Sequence, residues 1–204
     1  MKISIIGAGN VGTALGAGWR DQGHDVTYAL RGDSDSARSV AKDGFPVVPM
    51  ADAGNADVVV LAVPFNAAAD ALKDAGGLEG KIVIDATNPL TKTLDLAFGF
   101  SESAGEKIAA LAPNAKIVKA FNTTGAGNMA RGREFAATPM MPIAGDDADA
   151  KKTVSKLAQD LGFEPVDAGP LSAARLLEPM ALFWIKQAMA MNRGQDFAFA
   201  LTTR

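Results

Sequence analysis

The chain lacks cysteine altogether, and its 204 residues include only one histidine and one tyrosine. The missing thiols exclude disulfide bridges, thiolate nucleophiles and the cysteine-based zinc clusters. Basic residues do not exceed acidic ones: the net charge is −3 and no block of Lys or Arg occurs. This balance argues against nucleic acid and against a membrane surface as partners. We therefore expect the partners to be small molecules or another subunit.

Long apolar runs are also missing. No run reaches the ~18 residues that a membrane span needs, and the sequence does not open with the charged leader and apolar segment of a secretory signal. These features predict a cytoplasmic protein. A length of 204 residues suffices for one well-buried core and is small for two. We expect a single domain over residues 1–204.

The most informative stretch that is present lies at the start of the chain. The apolar, β-branched run Lys2–Ile6 predicts a buried strand, and GxGxxG follows it directly. In such a turn Gly7 allows the sharp bend, Gly9 lets a pyrophosphate approach the backbone, and Gly12 lets the next helix pack closely. The helix over residues 11–21 would point its free N–H groups at the phosphates. The predicted pyrophosphate contacts are Gly7, Gly9, Asn10, Val11 and Gly12.

Arg31 follows the second predicted strand, which covers residues 26–30. Strands that bind NAD usually end, about 20 residues past the glycines, in an acidic residue that accepts hydrogen bonds from the ribose. A guanidinium cannot accept those bonds, but it can bind a 2′-phosphate through two donors. We therefore expect NADP, with Leu30 and Arg31 at its adenosine end. Further phosphate donors would be Ser34, Ser36 and Arg38, opposed by Asp33 and Asp35; the alternative for Arg31 is a solvated loop arginine.

Strands and helices alternate along the remaining chain. Strands are predicted at 45–48, 57–64, 81–86, 116–121, 140–144 and 163–166, and helices at 36–43, 67–75, 106–111, 150–161 and 171–192. This alternation predicts an α/β fold with a Rossmann-like, doubly wound, mostly parallel sheet and a C-terminal helical extension. Ligands of such sheets bind at the carboxyl ends of the strands. The nicotinamide half of the cofactor would therefore contact Val63, Pro64, Thr87, Asn88 and Asn122.

Few side chains near this predicted site can transfer a proton. His24 precedes the second strand, on the side of the sheet away from the predicted cleft, and Tyr28 lies within that strand without the lysine of Tyr-Lys carbonyl reductases. Lys119 is expected to be paired or at the sheet edge. The carboxylates of 146–149 precede a helix, where they are ordinary caps, so we expect no metal site. We predict no catalytic residue: hydride transfer would depend on alignment of the two rings.

Several motifs resemble the NADPH-dependent coenzyme F420 reductase family nearly end to end. They are Gly7 to Gly12, Arg31, Asn88-Pro89-Leu90, Lys119-Ala120-Phe121-Asn122-Thr123, Gly145-Asp146-Asp147, Asp167-Ala168-Gly169-Pro170-Leu171 and Arg175-Leu176-Leu177-Glu178. The cytosolic domain of transmembrane ferric reductases is similar around Ala120–Thr123. The resemblance implies hydride exchange between NADPH and coenzyme F420 or a flavin, in a cleft closed by the C-terminal helix. Two positions depart from the family pattern: Leu30 replaces a frequent Ser, and Asn122 replaces a His found in some members.

The C-terminal helix is apolar on too many faces for a helix that rests on a single partner. Its apolar residues are Leu176, Leu177, Met180, Leu182, Phe183, Trp184, Ile185, Met189 and Met191. We favour a homodimer interface over deep packing against the sheet. Arg175 and Glu178 are spaced as a helical ion pair.

Two other functions compete with the F420 reductase prediction. One is an imine or hydroxy-acid reductase that resembles the pyrroline carboxylate reductases, although those enzymes usually have a longer helical C-terminal domain. The other is a non-catalytic module that senses NADPH and reports it to a partner through the apolar helix. Turnover with imines, or tight binding without turnover, would distinguish these alternatives.

Overall fold

A computed structural model describes all residues, 1–204, as alternating strands and helices. The strands are β1 (Lys2–Ile6), β2 (Asp25–Leu30), β3 (Val47–Pro49), β4 (Val58–Leu61), β5 (Ile82–Asp85), β6 (Lys116–Lys119), β7 (Met140–Gly145) and β8 (Glu164–Gly169). The helices are α1 (Asn10–Asp21), α2 (Asp35–Lys42), α3 (Phe65–Asp74), α4 (Ala104–Leu111), α5 (Ala148–Asp160) and α6 (Ala174–Ile185). All predicted strands and helices are present, with ends that differ by a few residues.

The eight strands form one sheet in the order β3-β2-β1-β4-β5-β6-β7-β8. Every neighbouring pair is parallel except β6 with β7. The strand order reverses between β1 and β4, which creates the crevice where such sheets bind ligands. The structure therefore confirms the predicted α/β, Rossmann-like fold with a mostly parallel sheet and a C-terminal helix.

Helices cover both faces of the sheet, and the strands bury side chains on both. In β4, Val58 and Val60 belong to a core shared with α1 and α5, whereas Val59 and Leu61 pack against α3 and α4. Alternate residues of a strand point to opposite faces, so the continuous apolar run is the expected sequence for a strand covered twice. None of the helices is both long enough and apolar enough to cross a membrane.

The C-terminal helical segment is less regular than the single helix predicted over 171–192. It starts as a 3₁₀ turn (Leu171–Ala173), continues as α6 and ends in one π-helical turn (Lys186–Ala190). One side of α6 is buried, including Leu177, Ala181 and Trp184, while Leu176 and Phe183 remain exposed. The helix therefore packs on the molecule and also presents an apolar face to solvent.

Candidate dinucleotide-binding site

The glycine-rich turn joins β1 to α1, and its three motif glycines have different surroundings. A Cβ at Gly7 would lie 2.4 Å from the Ala62 carbonyl oxygen, and one at Gly12 would lie 2.0 Å from the Gly7 carbonyl oxygen. Gly7 also has a φ of +106°, a conformation that side chains disfavour. No atom lies within 4 Å of a Cβ built at Gly9. Gly7 and Gly12 are required for packing, whereas Gly9 borders open space.

α1 starts beside this open space. Gly9 is its N-cap, no side chain caps the helix, and the first turn contains no acidic residue. The first N–H groups of a helix have no partner within the helix and attract an anion. Asn10 is exposed and Val11 is half-buried at this end. The turn thus has the room and the donors that a phosphate group needs.

A cleft of about 210 Å³ lies next to the turn, at the carboxyl ends of β1, β2 and β4. It brings together four residues predicted from the sequence: Gly7, Leu30, Arg31 and Val63. Ser34 and Ser36 also line it. The other predicted turn residues, Gly9, Asn10, Val11 and Gly12, stand outside its lining, on the turn itself.

The Arg31 guanidinium is exposed and forms an ion pair with Asp74, the last residue of α3. The closest N–O distance is 2.7 Å, and 62% of the arginine side chain is accessible to solvent. Exposed ion pairs contribute only about 0–1 kcal/mol to stability. The arginine is therefore free to exchange Asp74 for another anion at little cost.

The acidic residues that follow Arg31 are neutralised locally. Arg38 forms ion pairs with Asp33 and Asp35, so it is engaged with these acids. Ser34 caps α2 by accepting a hydrogen bond from the Ala37 N–H. Of the five neighbours considered from the sequence, the two serines line the cleft, while Arg38 offsets the charge of the two aspartates.

Predicted residues at the later strand ends form a second group. Asn122 donates hydrogen bonds from Nδ2 to Asn88 Oδ1 (3.0 Å) and to the Leu177 carbonyl of α6 (3.2 Å). Thr87 Oγ1 and Asn122 Oδ1 are buried without any hydrogen-bond partner. A buried polar atom without a partner is rare in folded proteins. Pro64 is the exposed N-cap residue of α3, in the turn after β4.

The backbone at the end of β6 is strained. Phe121 has a φ of +59°, which is uncommon for any residue except glycine and costs of the order of 1–3 kcal/mol. Its ring is fully buried and packs edge-on against Trp19, with 5.4 Å between centroids. Asn122 follows directly, at the carboxyl end of β6, where it is hydrogen-bonded to Asn88.

A buried cluster of charged groups lies under these residues, and most of it was not predicted from the sequence. The Lys119 ammonium is 2.9 Å from Asp85 Oδ2 and 3.0 Å from Glu178 Oε1, and all three side chains have no exposed surface. Lys119 is thus paired, as expected, but in the interior and not at the sheet edge. Asp85 and Lys119 are opposite each other on β5 and β6. Opposite charges inside two apolar strand runs were the signal that could have predicted the pair.

The predicted helical ion pair of Arg175 with Glu178 is wrong. Arg175 binds Glu106 of α4 instead, with 2.6 Å between Nη2 and Oε1. Glu178 points inward and accepts hydrogen bonds from the Ala104 and Gly105 N–H groups. The spacing allows an ion pair, but Arg175 lies on the partly exposed face of α6 and Glu178 lies on its buried face. The hydrogen bond from Arg175 lowers the pKa of Glu106 below its usual value.

The other titratable side chains considered from the sequence have structural partners. The His24 ring is 3.0 Å from Asp160 at the end of α5. The Tyr28 hydroxyl donates to the Gly12 carbonyl, and burial raises the pKa of Tyr28 to about 12. Asp147 caps α5 by accepting from the Ala150 N–H at 2.8 Å, which confirms its interpretation as a cap. No three His, Cys, Asp or Glu side chains are grouped as metal ligands.

Comparisons with known proteins agree with this arrangement. Residues 2–89 match the model of the NADP oxidoreductase coenzyme F420-dependent family. Metalloreductase STEAP3 of Rattus norvegicus is 30% identical over 184 residues, which are 89% of this chain and 36% of the rat protein. The chain thus spans about a third of that relative.

Two solved structures are similar over most of their length. A candidate F420-dependent NADP-reductase from Arthrobacter sp. FB24 is 30% identical, with a TM-score of 0.89 and full coverage of both chains. The hypothetical protein SMa0349 from Sinorhizobium meliloti is 32% identical, with a TM-score of 0.74 over 86% of this chain and 88% of that chain. These matches confirm the resemblance seen in the motifs: the chain belongs to the family of coenzyme F420-dependent NADP oxidoreductases, which are NAD(P)-dependent oxidoreductases.

Proposed function

We propose that the chain binds NADPH across the glycine-rich turn and transfers a hydride between NADPH and a deazaflavin or flavin acceptor. The observation that carries this proposal is the open space at Gly9 beside an uncapped helix, next to a cleft lined by Arg31. The residues proposed to contact the cofactor are Gly7, Gly9, Asn10, Val11, Gly12, Leu30, Arg31, Val63, Pro64, Thr87, Asn88 and Asn122.

At the adenosine end, Arg31 would select the phosphorylated cofactor. Its present partner, Asp74, is exposed, and a 2′-phosphate carries more charge and offers the oxygens for a two-donor contact. The hydroxyl groups of Ser34 and Ser36 line the same cleft. A charge-assisted hydrogen bond contributes about 1.5–3 kcal/mol, or roughly a ten- to hundredfold preference for NADPH over NADH.

At the nicotinamide end, the chain supplies alignment and not proton transfer. Bound NADPH would supply the hydride, and the unpartnered Thr87 Oγ1 and Asn122 Oδ1 are suited to hold a carboxamide. The hydrogen bond from Asn122 to Leu177 ties this edge to α6. We propose that residues 1–204 act as one domain whose C-terminal segment, 171–192, closes the cleft. Hydride transfer between two aligned rings requires no acid or base from the protein.

The identity of the acceptor is tested by turnover. Purified protein is titrated with NADPH and NADH and then mixed separately with coenzyme F420, with FMN or FAD, with ferric citrate plus flavin, and with cyclic imines. We expect oxidation of NADPH by the deazaflavin or a flavin. Oxidation only by imines would favour an imine reductase, and tight binding of NADPH without oxidation by any acceptor would favour a sensor.

Two substitutions test the adenosine end. Arg31→Ala should weaken NADPH binding about ten- to a hundredfold and leave NADH binding nearly unchanged. Asp74→Asn is the matched variant: it frees Arg31 and should tighten NADPH binding by up to about fivefold. Both affinities are measured by calorimetry. Equal losses of NADPH and NADH affinity in Arg31→Ala would contradict the assignment of Arg31.

We also propose a homodimer that is formed by the exposed apolar face of the C-terminal segment. The exposed large side chains of this face are Leu176, Phe183, Met189 and Met191, each more than half accessible to solvent. Leu176 and Phe183 are two helical turns apart, so they lie on one side of α6. Several large exposed apolar side chains in one helical segment suit a symmetric interface between two copies of the chain.

A further inference from the structure

Oxygen atoms surround the ammonium group of Lys119 in the buried cluster of Asp85, Lys119 and Glu178. Lys119 donates hydrogen bonds to Asp85 Oδ2 at 2.9 Å and to the Thr87 carbonyl at 2.6 Å. Its ammonium also forms an ion pair with Glu178 Oε1, at 3.0 Å. None of the three charged side chains has exposed surface.

Both carboxylates of the cluster are ionised, on the evidence of their partners. Asp85 accepts from the Thr87 N–H and from Lys119. Glu178 accepts from the N–H groups of Ala104 and Gly105 and forms an ion pair with Lys119. Every one of these partners is an N–H donor, whereas a protonated carboxyl needs an acceptor for its own hydrogen. Two carboxylates and one ammonium give a net charge of −1. The positive end of α4, about half a unit charge, offsets only part of it.

The charged cluster is hydrogen-bonded to the backbone of Thr87, a residue proposed to contact the nicotinamide. The N–H of Thr87 is bound by Asp85 and its carbonyl by Lys119. The side chain of Thr87 is 2% exposed and its hydroxyl has no partner, as is also true of the Asn122 amide oxygen. Two orphaned buried atoms beside the cluster indicate that a polar ligand completes this edge. The inference below rests on the proposed function, in which that ligand is the nicotinamide.

We propose that the Asp85–Lys119–Glu178 cluster makes the chain bind NADP⁺ in preference to NADPH and so strengthens NADPH as a hydride donor. Hydride donation breaks a C–H bond of the reduced ring, moves its electron pair and hydrogen to the deazaflavin or flavin, and leaves the ring with one positive charge. A buried negative charge stabilises that cation and has little effect on the neutral reduced ring. One unit charge within about 10 Å, at an effective dielectric constant of ~20, changes such an equilibrium by about tenfold.

The ratio of the NADPH and NADP⁺ dissociation constants tests the inference. Glu178→Gln and Asp85→Asn each remove one negative charge and leave a neutral pair with Lys119. Each should weaken NADP⁺ about tenfold more than NADPH, which corresponds to a shift of about 30 mV in the two-electron potential of the bound cofactor. Glu106→Gln is the matched control, because Glu106 lies on α4 in an ion pair with Arg175 outside the buried cluster. Calorimetry measures the constants, and circular dichroism identifies variants that fold.

Several results would overturn the inference. Equal losses of NADPH and NADP⁺ affinity in the folded variants would show a purely structural role for the cluster. If neither variant folds, the wild-type protein still decides, since tighter binding of NADPH than of NADP⁺ would contradict the proposal. Failure of the wild-type protein to bind either form would instead reject the proposed function itself.

Discussion

At the scale of single residues, the three motif glycines have separable roles. Cβ atoms at Gly7 and Gly12 would collide with backbone oxygens, whereas one at Gly9 would meet nothing within 4 Å. Gly9 has a φ of −81°, which any residue adopts without strain. The fold itself therefore does not require glycine at this position, and we propose that the missing side chain leaves room for the pyrophosphate.

This difference predicts that a substitution at Gly9 mainly weakens ligand binding, whereas one at Gly12 mainly lowers stability. Gly9→Val should cost no more than about 1 kcal/mol in the free energy of unfolding, since it replaces a glycine N-cap, and should weaken NADPH binding by roughly a hundredfold or more because the side chain fills the phosphate space. Gly12→Ala should destabilise the fold by roughly 2 kcal/mol or more through overpacking. Urea unfolding and calorimetry measure the two quantities. A stable Gly9→Val variant with unchanged NADPH affinity would show that the pyrophosphate does not bind at this turn.

Strand-end residues could be predicted from the sequence because their position depends on local pattern. An apolar run that stops at Thr87 or before Asn122 places these residues at the carboxyl edge of the sheet. Glu178, the second partner of Lys119, could not be predicted in the same way, because it reaches the lysine from a helix far along the chain. The positive φ of Phe121 also has no sequence signal, because this conformation is uncommon for residues other than glycine.

At the scale of elements, α4 shows how tertiary contacts define a short helix. Ser103 Oγ accepts from the Glu106 N–H and donates to the Glu106 carboxylate, which resembles a capping box. Glu178 accepts hydrogen bonds from the N–H groups of Ala104 and Gly105. Arg175, on α6, forms an ion pair with Glu106. The sequence predicted a start at Glu106, but the helix starts at Ala104 because α6 supplies the missing partners.

The ion pair between α4 and α6 predicts a pH dependence of stability. The Arg175 hydrogen bond lowers the pKa of Glu106 from its ordinary value of 4.5, so the unfolded chain binds the proton more readily. The stabilising contribution is complete above about pH 4.5 and is lost as the pH falls through the lower pKa of the folded protein. Glu106→Gln should lower the free energy of unfolding by about 1 kcal/mol at pH 7. The loss should become progressively smaller as the pH falls below 4.5, the ordinary pKa of the carboxyl.

Urea unfolding at pH 7, 5 and 3.5 measures this difference. Glu102→Gln serves as the control, because Glu102 pairs with Lys107 on the exposed surface and should contribute at most about 0.5 kcal/mol. A Glu106→Gln penalty that is the same at all three pH values would show that the ion pair does not contribute.

At the scale of the whole molecule, the predicted site depends on residues from both ends of the chain. The glycine-rich turn and Arg31 belong to the first strands of the sheet, whereas Asn122 is hydrogen-bonded to α6 near the end of the chain. The segment after α6 is also anchored, because the Trp184 ring N–H and the Asn128 amide both donate to the Phe197 carbonyl. This segment had no predicted structure, since its conformation depends on stacking of Phe197 on Trp184.

The proposed homodimer predicts that one substitution on α6 separates the subunits. Leu176 is 67% exposed, and burying a leucine contributes about 1.5–3 kcal/mol on each side of a symmetric interface. Leu176→Lys should therefore raise the dimer dissociation constant by at least about a hundredfold, as measured by light scattering and sedimentation across a concentration series. Leu111→Lys is the matched control, because Leu111 is an exposed leucine at the end of α4. Equal dissociation by both variants, or a monomeric wild-type protein, would leave the apolar face without a role in self-association.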